Sequence, residues 1–197
     1  MSEANEFPER RNYEALNYER ERRFIVSEKS ILHGAWWHLI EQGYIWAVDG
    51  YAIRARVELS PERSGDFSDF SATFTAKGPR IGDEREEYEI EVDSKFAREI
   101  IARSDLLIRK RRYKVIDQGT WDIDEFLGDN EGLVIAELEA GKDPVARQAL
   151  REMETPKWAY KEVTSDTRFN NEELAKNPVS SWEEESDWKP DSPWDWD

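Results

Sequence analysis

Along most of its length the chain alternates apolar and polar side chains with a period of two, the spacing of a strand that turns one face to each side. Tyr51, Ile53, Ala55 and Val57 alternate with Ala52, Arg54, Arg56 and Glu58. Ala72, Phe74 and Ala76 oppose Thr73, Thr75 and Lys77, and the phase Tyr88, Ile90, Val92 opposes Glu87, Glu89 and Glu91. The same reading assigns strands to residues 17–26, 107–117, 120–126 and 133–140. The polar run from Ser60 to Ser71, with Pro61 and Gly65, is expected as a long hairpin loop. Helical spacing predicts a helix from Ser27 to near Gln42, carrying Ile31, Ala35, His38 and Leu39, with Gly43 as its stop. A second helix is expected from Ser94, as its cap, to near Arg103, and a third from Asp143, where a capping residue precedes Pro144, to near Met153. Short strands, long connections and few helices predict an α+β protein built on an antiparallel, closed sheet.

The polar faces carry more charge than a solvated sheet needs. In NYERERRFIV, residues 17–26, Glu19, Glu21 and Arg23 share one face. Cross-strand ion pairs facing water would account for any single strand, each worth only ~0.2–1 kcal/mol. Across the chain, however, the signs segregate. Acids come in alternating pairs, Glu19 with Glu21, Glu87 with Glu89, Asp122 with Asp124 and Glu137 with Glu139. Bases do the same on other strands, Arg54 with Arg56 and Lys110 with Arg112, joined by Lys77. Such faces suit an interior that holds a polyphosphate. Arginine forks and lysine ammoniums grip phosphoryl oxygens, while Mg²⁺ or Mn²⁺ takes hard carboxylate oxygens and bridges to phosphate. A barrel of ~8 strands has room for one small ligand.

Composition narrows the partners. A chain of 197 residues is one domain's worth. With 28 Lys and Arg against 44 Asp and Glu, a formal charge of -16, neither a nucleic-acid backbone nor an anionic membrane is an expected partner. There is no cysteine, hence no disulfide or thiolate site, and the only histidines, His33 and His38, do not share a helical face. Neither a signal peptide nor an apolar run of membrane-spanning length is recognised, and the expected location is the cytoplasm. Residues 1–16 are read as a flexible lead-in, 17–177 as the domain, and 178–197 as an acidic, tryptophan-rich tail. That tail is expected to be disordered and solubilising, or to dock on a protein partner or over the cavity mouth.

At this point the motifs converge on a known family. Glu19-x-Glu21-x-Arg23 resembles the E-x-E-x-K signature of CYTH-domain proteins, the triphosphate tunnel metalloenzymes, among them inorganic triphosphatases, thiamine triphosphatases and class IV adenylyl cyclases. The resemblance continues in order through GYAIRAR, TFTAKG, REEYEIE, RKRRY, WDIDEFLGDNEGLVIAELE and KEVTSDTRFNN, from Tyr18 to Leu174. It implies an eight-stranded antiparallel tunnel, with a few flanking helices, that hydrolyses a triphosphate with Mg²⁺ or Mn²⁺. Inorganic triphosphate ranks first among substrates, then thiamine or nucleoside triphosphates. The alternatives are a cyclase or a module that binds a triphosphate without turning it over.

By the same resemblance Glu19, Glu21, Glu89, Asp124, Glu137 and Glu139 are candidate metal ligands. Arg54, Arg56, Lys77, Arg85, Lys110 and Arg112 are candidate phosphate ligands, with Lys161 as a basic lid. Glu87, Arg23 and Lys110 are the candidate catalytic groups. Arg23 stands where the signature has lysine, and an arginine stays charged and cannot serve as a base, so Glu87 or a metal-bound water inherits that task.

Overall fold

The computed structural model describes residues 16–81, 84–141, 143–183 and 187–190. Among them the order is β1 (Leu16–Val26), β2 (Trp37–Val48), β3 (Tyr51–Pro61), β4 (Phe67–Ile81), β5 (Glu84–Glu91), α1 (Ser94–Ile101), β6 (Leu106–Ile116), β7 (Thr120–Phe126), β8 (Val134–Ala140), α2 (Pro144–Glu152), β9 (Ala159–Glu162) and α3 (Asn171–Lys176). The fold is α+β with an antiparallel sheet in the order β5-β4-β3-β2-β6-β7-β8-β1-β9. It holds nine strands where eight were expected, because the short β9 adds to β1 opposite Phe24 and Ile25. β1 divides its partners along its length. Leu16–Glu19 pair with Tyr88–Arg85 of β5, and Arg20–Ile25 pair with Ala140–Ile135 of β8.

The helix expected over residues 27–42 is not there. A 3-10 turn, Lys29–Leu32, is followed directly by β2, which pairs with β3 on one side and β6 on the other. The apolar spacing fitted a helix, but the run is rich in aromatic and β-branched residues, and two flanking strands bind its backbone groups, so tertiary pairing overrides the local period. Gly43 therefore does not stop a helix. It sits in mid-strand, where a Cβ would meet the Ser104 Cβ at 2.9 Å and the Ile101 Cα at 3.0 Å, and its bareness lets the end of α1 lie against β2.

Other boundaries move less. The cap of α1 is Asp93, not Ser94; its carboxylate accepts from the backbone N–H of Lys95 at 3.0 Å and of Phe96 at 3.2 Å. Asp143 caps α2 with Pro144 in the first turn. The hairpin between β3 and β4 spans only residues 62–66, because both strands run on past a bulge at Glu58 and Leu59 that takes up the polar residues.

Packing treats the two sheet faces differently. Outside, α1 lies over Leu39, Ala55, Val57, Leu59 and Ala72, and a second cluster around Phe24, Trp121, Ile123 and Trp158 covers β1, β7 and β8. On the inner face β1, β3, β6, β7 and β8 each change character within one step of two residues. Arg23 gives way to Ile25, Arg54 to Ala52, Lys110 to Ile108, Asp124 to Phe126 and Glu137 to Ile135. That apolar layer packs on Phe169, Leu174, Val179 and Trp188 of the C-terminal segment, which fills this end of the interior. Val179 and Trp188 come from the stretch expected to be a separate tail; Trp188 is 7% exposed and lies on Gly132, whose φ of +95° and lack of a Cβ leave room for the indole. Such single anchors in irregular backbone leave no periodic trace in sequence. Residues 1–15, 184–186 and 191–197 of the expected lead-in and tail lie outside the described residues. No described helix is long and apolar enough to cross a membrane.

Candidate active site

The charged half of the inner face encloses a cavity of about 440 Å³. Seven cationic side chains line it, Arg23, Arg54, Arg56, Lys77, Arg85, Arg112 and Lys114, and seven anionic ones, Glu21, Glu87, Glu89, Asp122, Glu137, Glu139 and Glu172. In a chain of formal charge -16 this even balance matters less than the placement. Glu21, Glu137, Glu139 and Asp122 stand together, because Glu21 faces Glu139 across β1 and β8, and Asp122 faces Glu137 across β7 and β8. Arg54, Arg56 and Lys77 stand on β3 and β4, beside Arg85, Glu87 and Glu89 of β5.

Arg112 organises the acidic wall. Its Nε and Nη2 donate to the two oxygens of Asp124 at 2.7 and 2.6 Å, a bidentate pair, while Nη2 also reaches Glu137 at 3.0 Å and Nη1 reaches Asp122 at 3.2 Å. These carboxylates raise the Arg112 pKa well above its ordinary value despite burial. Asp124 and Lys110 are both 0% exposed and stand behind the wall rather than on it. The Lys110 ammonium meets Asp124 at 2.5 Å and Asn171 at 3.1 Å. Burial pushes Lys110 down to about 8, against the pull of Asp124, so it still carries its charge at neutral pH. Burial would raise Asp124, but Arg112 and Lys110 outweigh it and hold the carboxyl far below the usual range.

For two groups burial and like charge outweigh the partners present, Arg112 at 3.0 Å from Glu137 and Glu58 at 3.5 Å from Arg56. Glu137 has its pKa raised, by burial first and then by Asp124 and Glu21, two further carboxylates. Arg56 has its pKa lowered, by burial first and then by Arg54 and Arg112. Its Nε is buried with no hydrogen-bond partner among the described residues, and its ion pair to Glu58 is loose at 3.5 Å. A buried unpaired donor on one wall and crowded carboxylates on the other suit a ligand that brings negative charge to the first and positive charge to the second.

Glu87 lies between the bases, 3.2 Å from Lys77 and 3.7 Å from Arg54. Arg54 is also held by Gln42 at 3.2 Å, and Glu89 accepts from Thr75 at 2.8 Å. Arg23 faces the cavity at 3% exposure, with Nε 3.5 Å from the Glu21 carboxylate and both terminal nitrogens on the C-terminal segment. Nη1 bonds the Phe169 carbonyl at 3.0 Å, and Nη2 the Thr164 carbonyl at 3.2 Å and Asn170 at 2.9 Å. Lys161 is exposed on β9 and is not among the lining residues. Glu19 follows the same β1 register, opposite Arg85, and its side chain lies outside the described residues.

Of the residues singled out in the sequence, the cavity thus gathers Glu21, Glu87, Glu89, Glu137, Glu139, Arg23, Arg54, Arg56, Lys77, Arg85 and Arg112, and leaves Asp124, Lys110 and Lys161 off its surface. It adds Lys114, Asp122, Thr120, Asn170, Asn171 and Glu172. Lys114 and Asp122 continue the alternation and were legible from it. Asn170, Asn171 and Glu172 come from the turn into α3, where no period points. Arg80 was also hidden, and it pairs with Glu21 at 2.8 Å because a register shift between Lys77 and Arg80 resets the alternation. Among the described residues no three His, Asp or Glu converge closely enough to hold a metal ion.

An inorganic triphosphatase of Acetivibrio thermocellus is 38% identical over 175 residues, which cover 86% of this chain and 100% of that protein. Two solved structures of NE1496 superpose with a TM-score of 0.53 each. One is described as a hypothetical protein, at 25% identity, covering 80% of this chain and 97% of its own. The other is described as an inorganic triphosphatase, at 23% identity, covering 80% of this chain and 93% of its own. No family model matches the chain.

Proposed function

This chain belongs to the CYTH-domain family of triphosphate tunnel metalloenzymes, and from that premise we propose that it is a divalent-metal-dependent hydrolase of inorganic triphosphate. The pairing of β1 with both β5 and β8 supports reading the eight strands β1–β8 as a closed tunnel, with the cavity as its lumen. The observation that carries the proposal is the opposed pair of needs across that lumen, the unpaired Arg56 donor and the crowded Glu137 carboxylate.

The chemistry follows from which wall meets which charge. Arg54, Arg56 and Lys77 hold phosphoryl oxygens and stabilise the charge that spreads over them as the anhydride bond lengthens, while Arg85 beside them is tied to Glu172. Glu21, Glu137 and Glu139 do not converge on one point in this structure and would hold Mg²⁺ or Mn²⁺ only once drawn together around the ion, with Glu19, two residues before Glu21 on β1, as a further carboxylate. Their oxygens are the donor type these ions prefer. When bound, the metal supplies Lewis-acid polarisation of a phosphoryl oxygen and a lowered pKa for its water. Glu87, on the phosphate-binding side, orients the attacking water as hydrogen-bond acceptor. Asp124, Lys110 and Arg112 act through others: the buried triad fixes the angle at which Glu137 and Asp122 face the lumen. Arg23 is likewise a positioning residue, tied to the C-terminal segment rather than to a proton transfer. None of the described lining residues is aromatic, which favours hydrolysis over a cyclase that must seat an adenine.

The test is phosphate release from sodium triphosphate, with and without Mg²⁺ or Mn²⁺, by the protein and by Glu19→Gln with Glu21→Gln. Loss of at least ~10³-fold in kcat with an unchanged melting temperature is expected of the double variant, the scale for removing charge-stabilising groups. Full activity in it would sink the assignment, and cyclic nucleotide formed from ATP would reverse the preference for hydrolysis. The cytoplasm remains the expected location.

A further inference from the structure

Three buried cations from three strands grip three consecutive residues at the filled end of the lumen. Arg23 of β1 donates to Asn170, Lys110 of β6 to Asn171 at 3.1 Å, and Arg85 of β5 pairs with Glu172 at 2.8 Å. All three gripped residues line the cavity. Two are neutral amides, and the third is a carboxylate set on an arginine of the phosphate-binding wall. Arg85 is fixed in place, its Nε donating to the Gly78 carbonyl at 2.8 Å and its Nη2 to the Gly50 carbonyl at 2.9 Å. Glu172 is fixed too, at 5% exposure, two residues before Leu174, which is 0% exposed in the apolar filling.

We propose that Glu172 is a specificity-determining residue that sets how many phosphoryl groups the lumen accepts: its carboxylate already occupies Arg85, so an incoming phosphate chain ends against a fixed anion. This rests on the triphosphatase reading and adds the chain length of the substrate. Burial pushes the Glu172 pKa up, but Arg85 outweighs it and holds it below the ordinary value, so the group is anionic across the neutral range. A phosphoryl group pushed past the third would approach that carboxylate at close quarters with little water between, and like charges so placed repel strongly. Burial and the Arg85 ion pair hold the side chain at the cavity wall, and Arg23 and Lys110 hold the neighbouring Asn170 and Asn171. The ligand class is a linear polyphosphate of three phosphoryl groups, entering from the end opposite the apolar filling.

The experiment compares kcat/KM for sodium triphosphate and sodium tetraphosphate in the unmodified protein, Glu172→Gln and Glu172→Asp. Glutamine keeps the shape without the charge, and its tetraphosphate-to-triphosphate ratio is expected to rise about tenfold, while aspartate stays within about twofold of the unmodified ratio. An unchanged ratio in a folded Glu172→Gln overturns the proposal. A second arm needs neither variant nor turnover: calorimetry on the unmodified protein in EDTA should give triphosphate and tetraphosphate affinities within about threefold, and tenfold tighter tetraphosphate binding overturns the proposal. An unmodified protein that releases no phosphate from triphosphate would instead refute the hydrolysis reading, with the calorimetric comparison still deciding the role of Glu172.

Discussion

The two halves of the inner face share β1, β3, β6, β7 and β8, which cross from one to the other within two residues, and they are held together in opposite ways. In the apolar half, Ile25, Phe126, Leu133 and Ile135 pack on Phe169 and Leu174, all at 2% exposure or less, and stability comes from area removed from water. In the charged half, Lys110 and Asp124 are just as buried, yet each is tolerable only because the other is present. The cavity wall keeps charge where packed hydrocarbon would serve cohesion better. The apolar half carries the cohesion, and the C-terminal segment that completes it also forms the floor of the site.

The contrast is sharpest where one partner of the buried pair is removed. Asp124→Asn leaves the buried Lys110 charge uncompensated and frees Arg112 from its bidentate partner, and is expected to cost about 3–5 kcal/mol in urea unfolding, together with a loss of activity as Arg112 loses the partner that orients it toward Glu137 and Asp122. Leu174→Ala probes the other half. It is expected to cost about 2–5 kcal/mol through transfer and cavity terms, with KM for triphosphate nearly unchanged if the filling acts only as cohesion. A large rise in KM would break the comparison, because it would make the apolar half part of the recognition surface.

A smaller effect should follow pH. Burial would raise Glu58, but the His38 hydrogen bond and the Arg56 charge outweigh it and bring the carboxyl down to about 2 from an ordinary 4.5. A depressed carboxyl stabilises the fold when ionised. Its contribution is full above about pH 4.5 and is lost as pH falls from there toward 2. Thermal melts of Glu58→Gln and the unmodified protein should therefore diverge above that window and converge below it. The smallest effect is expected on the outer surface, where Arg103 and Glu99 are 71% and 57% exposed; Arg103→Ala should change stability by less than ~0.5 kcal/mol, most of it gone in high salt.

Much of this was legible in the amino-acid order. The alternation of β3, β7 and β8 is strong because one face of each strand is packed under a helix or cluster while the other is charged, whereas β5 alternates with Tyr88 and Ile90 exposed on its outer face. The acid pairs and base pairs followed from the same alternation. The order did not disclose β2, whose apolar spacing fits a helix until two neighbouring strands claim its backbone, nor Trp188, a single anchor with no period around it.

By itself, then, the sequence determined which side chains share a face and what sign each face carries, because strand geometry alone dictates that. Only the tertiary structure decided which faces meet. It turned Arg23 from one more charge in a row into a tie between β1 and the carbonyls of Thr164 and Phe169, some 140 residues downstream. It also withdrew Lys110 and Asp124 from the cavity surface and set Glu172 upon Arg85. Those outcomes depend on register, on bulges such as the one between Lys77 and Arg80, and on where irregular backbone finds a place to bury a ring, none of which a local pattern can encode.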